Sequence, residues 1–186
     1  MVEWFNDINT KNYDFSVKNK ICVYVLVFLV GALVGYIYEE LFVIIIDHEL
    51  VKRGFLYGPY LPVYGFGAVL MMFTLKKFKK NPLVVFLLAM LITGILEYFT
   101  GFALWKIYHK TWWDYSGLFL NINGYVCLRS VLTFGVGGLL LIYIAEPLVC
   151  KLVSIANEKL VHLWSFMICI TFLVDLLFTL IYRNKI

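Results

Sequence analysis

Among the ionisable side chains that stand inside long apolar runs of this 186-residue chain, four share similar depths: Glu39, Glu97, Arg129 and Asp175. Placing one charge in hydrocarbon costs at least about 2.5–3.5 kcal/mol, so charges kept there pair with one another or line a polar cavity. Two kinds of chemistry fit these residue types. Arg129 could neutralise Glu97 or Asp175 in a buried pair that fixes helix packing, although desolvation offsets much of such an attraction. Alternatively, three carboxylates against one guanidinium leave an acidic surplus able to bind a cation or relay protons. Asp114, beside the adjacent Trp112 and Trp113, would stand at the mouth of such a site. The chain shows no H-E-x-x-H, no serine hydrolase order and no metal-ligand cluster, and His48, His109 and His162 lie far apart. No catalytic residue, metal site or cofactor is therefore assigned.

These side chains need a membrane scaffold to position them. Residues are 62% hydrophobic and 18% aromatic, with a mean hydropathy of +0.86. That is far more apolar surface than one soluble core of this size can bury. The 16 basic residues exceed the 12 acidic ones only slightly and lie between the apolar runs, so they read as topology signals and give no support to nucleic-acid binding. Cys22, Cys127, Cys150 and Cys169 lack C-x-x-C spacing and read as packed thiols.

The expected architecture is all-α, a polytopic membrane helical bundle of about five transmembrane helices. An amino-terminal cytoplasmic or interfacial arm covers 1–20. A single transmembrane domain covers 21–182, with spans at 21–46, 61–75, 83–108, 124–145 and 161–182, and a tail covers 183–186. Pro147 closes the fourth span in this reading, and 146–160 becomes an amphipathic helix on the membrane surface. Gly31, Gly35 and Glu39 fall at i, i+4 and i+8, as do Thr171, Asp175 and Thr179, while Gly94, Glu97 and Gly101 share another face. Faces with small residues should meet protein, not lipid. A tandem two-helix repeat is suggested by Glu39 and Glu97, each followed by an aromatic, glycine-containing loop and a further span.

Five spans put the termini on opposite sides. The arm and the second and fourth loops carry nine cationic residues against six on the other side, which places the amino terminus in the cytoplasm. In that orientation Glu97, Arg129 and Asp175 sit about 8–9 Å below the outer boundary, at a rise of about 1.5 Å per residue, with Glu39 somewhat shallower.

The most distinctive stretch is 53–67, R-G-F-L-Y-G-P-Y-L-P-V-Y-G-F-G. Arg53, Gly54, Tyr57, Gly58, Pro59, Tyr60, Pro62, Tyr64 and Gly65 cannot form one ordinary helix, because proline removes a backbone donor and glycine leaves the backbone unrestrained. The stretch is either a turn at the membrane interface or a re-entrant, cavity-lining loop. A second motif loop carries Trp112, Trp113, Asp114 and Tyr115, followed by Asn123 and Gly124.

The set G-x-x-x-G-x-x-x-E over 31–39, R-G-F-L-Y-G-P-Y-L-P-V-Y-G over 53–65, L-E-Y-F-T-G over 96–101, W-W-D-Y-S over 112–116 and N-I-N-G over 121–124 resembles a family of small bacterial integral membrane proteins. They are labelled ABC-transporter permease proteins, type IV, or CmpB-like. The resemblance implies a permease subunit in the cell membrane working with a separate ATPase. It supplies no site residues. This chain has no G-x-x-x-x-G-K-[ST] loop, so it is not itself the ATPase.

Three functions follow from these features. The first is a transport component, a homo-oligomer or a subunit beside a separate ATPase or permease partner, with an outward-facing polar cavity at Glu39, Glu97, Arg129 and Asp175. The second is a membrane assembly protein that binds a partner through the aromatics of 112–115. The third is an outer-leaflet enzyme using Glu97 or Asp114 for proton transfer on a membrane lipid whose head group Arg129 holds.

Overall fold

Apolar runs ended by capping residues set the helix boundaries. The computed structural model describes Asn9, Lys11, residues 13–48 and residues 54–182. Most of the 1–20 arm, Lys52, Arg53 and the 183–186 tail lie outside the described residues. Helix α1 covers Val17–Asp47, with the Ser16 hydroxyl accepting the Asn19 amide at 3.3 Å and His48 ending it in the left-handed region. Helix α2 covers Pro62–Leu75 and passes into a 3-10 turn, Lys76–Phe78, where the lysines begin. Asn81 then caps α3, Pro82–Tyr108, its side chain accepting the Leu83 and Val84 amides at 3.1 and 3.3 Å. Helix α4 covers Leu128–Leu140, a π-helical segment covers Leu141–Ala145, α5 covers Glu146–Ile155 and α6 covers Glu158–Tyr182.

Among the described residues, four helical stretches are long and apolar enough to cross a membrane: Val17–Ile45, Pro82–Tyr108, Leu128–Ile155 and Glu158–Tyr182. No strand occurs among the described residues, and the chain is a multi-pass, all-helical membrane protein.

One expectation needs correction. Pro147 does not close the fourth span, and 146–160 is not a separate surface helix. The helix continues to Ile155 with Glu146, Pro147, Val149, Cys150 and Val153 buried. Proline lacks the donor for an i→i−4 bond and its ring crowds the carbonyl four residues back, which here belongs to Tyr143. The wider π turn over Leu141–Ala145 lies across that position and relieves the crowding. The fourth span also begins at Leu128 and not at 124, because residues 122–126 fold into the preceding loop through an Ile122–Val126 bridge.

The chain divides into two compact units, Met1–Val69 with Ala145–Ile186, and Leu70–Ile144. In the first, α1 packs on α5 and α6. Asn19 Oδ1 and His162 Nε2 meet at 2.8 Å near the starts of α1 and α6, and the Phe28 and Phe172 rings meet further along. These two helices therefore run parallel.

In the second unit, α3 and α4 form an antiparallel pair drawn together by glycines. A Cβ on Gly138 would lie 2.5 Å from that of Ala89, one on Gly135 would lie 2.6 Å from the Phe86 ring, and one on Gly94 would lie 3.0 Å from Val131. Small residues give apolar helices the close approach that lipid would otherwise contest.

Candidate functional site

Glycine packing places the 54–61 loop. On α1, a Cβ at Gly31 would lie 2.6 Å from that of Ala68, and one at Gly35 would lie 2.2 Å from Tyr64 Cγ. The space left by these two glycines admits α2 and the Tyr64 ring, whose hydroxyl donates to Glu39 Oε1 at 2.5 Å. The expected small-residue face of α1 therefore meets protein, and Glu39 at its end has a tyrosine partner.

The loop returns along α1 to the middle of the span. Leu61 N donates to the Ala32 carbonyl at 3.0 Å, and Ala32 is fully buried near the centre of Val17–Ile45. Irregular backbone at this depth survives only where protein or water satisfies it. Asp175 of α6 does so here. Its Oδ1 accepts the Tyr57 amide at 3.0 Å and the Thr179 hydroxyl at 3.2 Å, and its Oδ2 accepts the Gly58 amide at 2.8 Å and the Tyr60 hydroxyl at 2.5 Å. Charge-assisted bonds of this kind offset the cost of keeping a carboxylate out of water. Of the two readings of the motif, the geometry supports the re-entrant one. Leu56 and Leu61 are buried, Tyr57 packs on Phe178 and Tyr60 on Phe172, and Pro59 is exposed. Gly54 has φ +90, and a Cβ on Gly58 would meet the Tyr60 ring at 2.1 Å. Pro62 opens α2, Gly65 sits against Phe28, and Arg53 lies outside the described residues.

Beside this loop a groove of about 230 Å³ runs between α1 and α6. Its walls are Phe28, Leu29, Ala32, Trp164, Met167, Ile168 and Phe172, with Tyr60 and Thr171 as the lining residues that carry hydroxyls.

The second unit holds another carboxylate in a similar way. Tyr115 OH donates to Glu97 Oε1 at 3.0 Å. The loop that presents Tyr115 is built from both of its motifs. Tyr115 N donates to the Gly124 carbonyl at 2.9 Å, Trp113 Nε1 to the Tyr125 carbonyl at 2.8 Å, and Asn123 Nδ2 to Tyr98 OH at 2.9 Å. Asn123 and Gly124 take positive φ, 53 and 73, and a Cβ on Gly124 would lie 2.8 Å from both Asp114 Oδ1 and Ser116 Oγ. Asp114 Oδ1 accepts the Ser116 amide at 2.9 Å and its hydroxyl at 2.5 Å, and those bonds, the hydroxyl first, hold the Asp114 carboxyl below the usual carboxylate range. Gly101 leaves room for Tyr125 and Trp113 to lie on α3, and Trp112 packs toward Tyr108. Arg129 is exposed on the first turn of α4, where its carbonyl accepts the Thr133 hydroxyl at 2.9 Å.

The sequence-predicted carboxylates thus fall into separate pairings: Glu39 with Tyr64 and Asp175 with 57–60 in one unit, Glu97 with Tyr115 in the other. Sequence reasoning missed Ser116 and Tyr98 as partners, and it missed the cap on α4, where Cys127 Sγ accepts the Ser130 amide at 3.4 Å. An Asp-x-Ser turn is a recognisable signal for the first; thiol capping has none. Among the described residues no cluster of three His, Cys, Asp or Glu could hold a metal ion.

Compared with known proteins, residues 26–180 match the model of a family described as "Putative ABC-transporter type IV". No curated protein and no solved structure matches the chain significantly. A match over most of the chain, on a scaffold of apolar helices with its motifs folded into two organised loops, establishes that the chain belongs to this family, whose description is "Putative ABC-transporter type IV".

Proposed function

We propose that this chain is the permease-type subunit of an ABC-type transport system in the cell membrane, acting as a homo-oligomer or beside a separate ATPase or permease partner. The observation that carries the reading is the irregular 54–61 backbone at the level of Ala32, bonded to an intramembrane carboxylate. Interrupted helices near the membrane midplane are where transporters form solute sites. Family membership supports the same reading.

In this proposal Glu39 and Asp175 of the first unit contribute to an outward-facing polar pathway, and within the second unit Glu97, Arg129 and Asp114 are polar contacts beside Trp112 and Trp113. The amino terminus is cytoplasmic, as the excess of cationic residues on that side supports. A cation approaching Asp175 competes with the four donors that carboxylate already accepts, so opening the pathway includes moving the 57–60 segment.

Mild-detergent purification of tagged protein from its native membrane, with mass spectrometry of what accompanies it and the mass of the complex, tests the proposal. An ATPase in stoichiometric amount supports it. A bare homo-oligomer with no ATPase under several mild detergents would set the ABC role aside and leave only transport by the homo-oligomer itself.

A further inference from the structure

The 112–127 loop is internally bonded, yet the apolar side chains at its tip are exposed. Asn121 Nδ2 donates to the carbonyls of Ser116 and Leu118, both at 3.0 Å, and Asn121 Oδ1 accepts the Gly124 amide at 3.3 Å. The loop leaves Phe119 75%, Leu120 62% and Ile122 57% exposed. Leu120 moreover adopts φ 51, a left-handed conformation that bulky residues rarely take and that persists where surrounding bonds impose it. Three bulky apolar residues in four consecutive positions, fixed on the outside of a loop, form a patch that needs an apolar environment.

The fold supplies that environment. Leu128 N donates to the Phe119 carbonyl at 3.3 Å, which holds Phe119 against the first turn of the Leu128–Ile155 span. Its level is therefore the boundary where that span enters the membrane. Further along the same helix, Leu132, Val136 and Leu140 are likewise exposed apolar residues, a surface that suits contact with lipid. Residues 119–123, F-L-N-I-N, contain no charge that would oppose entry among the head groups.

We propose that Phe119, Leu120 and Ile122 form a wedge seated in the lipid leaflet beside the start of α4, anchoring the second motif loop to the bilayer. The ligand is the acyl and head-group boundary of that leaflet, in the manner of interfacial apolar anchors. Seating the tip fixes the far side of the loop whose Tyr115 holds Glu97.

The test uses the full chain in nanodiscs of phosphatidylethanolamine and phosphatidylglycerol, in a Cys169→Ser background, since Cys22, Cys127 and Cys150 are buried. A nitroxide label is placed at Phe119→Cys and, for comparison, at Gly117→Cys, an exposed position of the same loop where a side chain meets nothing within 4 Å. Collision with oxygen, which concentrates in lipid, is measured against collision with a water-soluble nickel chelate. The proposal expects the oxygen-to-nickel ratio to be several-fold higher at 119 than at 117. Equal, water-like ratios would overturn it. Shielding of the 119 label from both reagents would also overturn it, because a protein partner or a second copy would then cover the tip. If Phe119→Cys does not fold, Ile122→Cys reads the same surface with the same outcomes.

Discussion

The Asp175 carboxylate accepts the Gly58 amide at 2.8 Å across 117 positions of sequence. That bond and its three companions at the same carboxylate change the meaning of an acid in a membrane helix. Asp175 supplies the acceptors that a broken backbone lacks at that depth, as a capping residue does at a helix start.

Asp175→Ala leaves the Tyr57 and Gly58 amides and two hydroxyls without that acceptor. A buried donor left unsatisfied costs about 1–3 kcal/mol, and these donors are part-buried or exposed, so the variant should lose on the order of that for the group together and open the 54–61 segment to protease. Asp175→Asn keeps one acceptor oxygen and should fall between the two. Thermal unfolding in nanodiscs with limited proteolysis measures this; a melting curve like the parent's for Asp175→Ala would refute the capping role.

The glycines of α1 and α4 are not equivalent. Gly35→Ala brings a Cβ to within 2.2 Å of Tyr64 Cγ, displacing the ring that reaches Glu39, and overpacking of this kind costs about 1–3 kcal/mol. Gly137→Ala meets nothing within 4 Å and should be neutral or stabilise α4 by up to about 1 kcal/mol. Side-by-side melting of the two variants checks the packing directly, and equal losses would contradict it.

Tyr115→Phe removes the hydroxyl that donates to Glu97 while keeping the ring. A hydrogen bond to a charged group contributes about 1.5–3 kcal/mol, so the variant should melt lower by that order, and Glu97→Gln, which retains an acceptor, should lose less. If Tyr115→Phe and its parent unfold together, the tyrosine does not hold the carboxylate.

Asp114 makes the second loop acid-sensitive. Its folded carboxyl lies below the ordinary range because Ser116 bonds the ionised form. The contribution is therefore complete above the unfolded carboxylate pKa and is lost as pH falls through the lower folded value, since the opened loop binds the proton more readily. Hydrogen exchange of the Ser116 amide should speed up, beyond the intrinsic pH trend, at the acid end of a titration. Asp114→Asn should remove that dependence, and an Asp114→Asn profile identical to the parent's would assign the effect elsewhere.

How much of this was legible depended on range in sequence. The apolar runs announced the helices because few charges interrupt them, and Gly31, Gly35 and Glu39 announced a protein-facing stripe because helical spacing is local. The re-entrant loop was visible only as one of two alternatives. Its depth is set by Leu61 meeting Ala32 and by Asp175 meeting Tyr57, contacts that no local pattern encodes. Pro147 misled because its effect was judged against α geometry, and the π turn before it changes that geometry. Ser116 was legible as the end of an Asp-x-Ser turn, whereas Tyr98 acts through a single hydroxyl, a group common enough to carry no signal alone.

The bond between Tyr57 and Asp175 also has a temporal side. A ribosome delivers residues 54–61 to the bilayer long before residue 175 exists, since 118 positions separate the partners. Until the last helix is synthesised, two amides of the loop lack their eventual acceptor, and the nascent chain must keep them wet or hold them in the insertion machinery. Completion of the loop is therefore a late event in biogenesis, limited by arrival of α6, as expected for contacts of such long sequence separation.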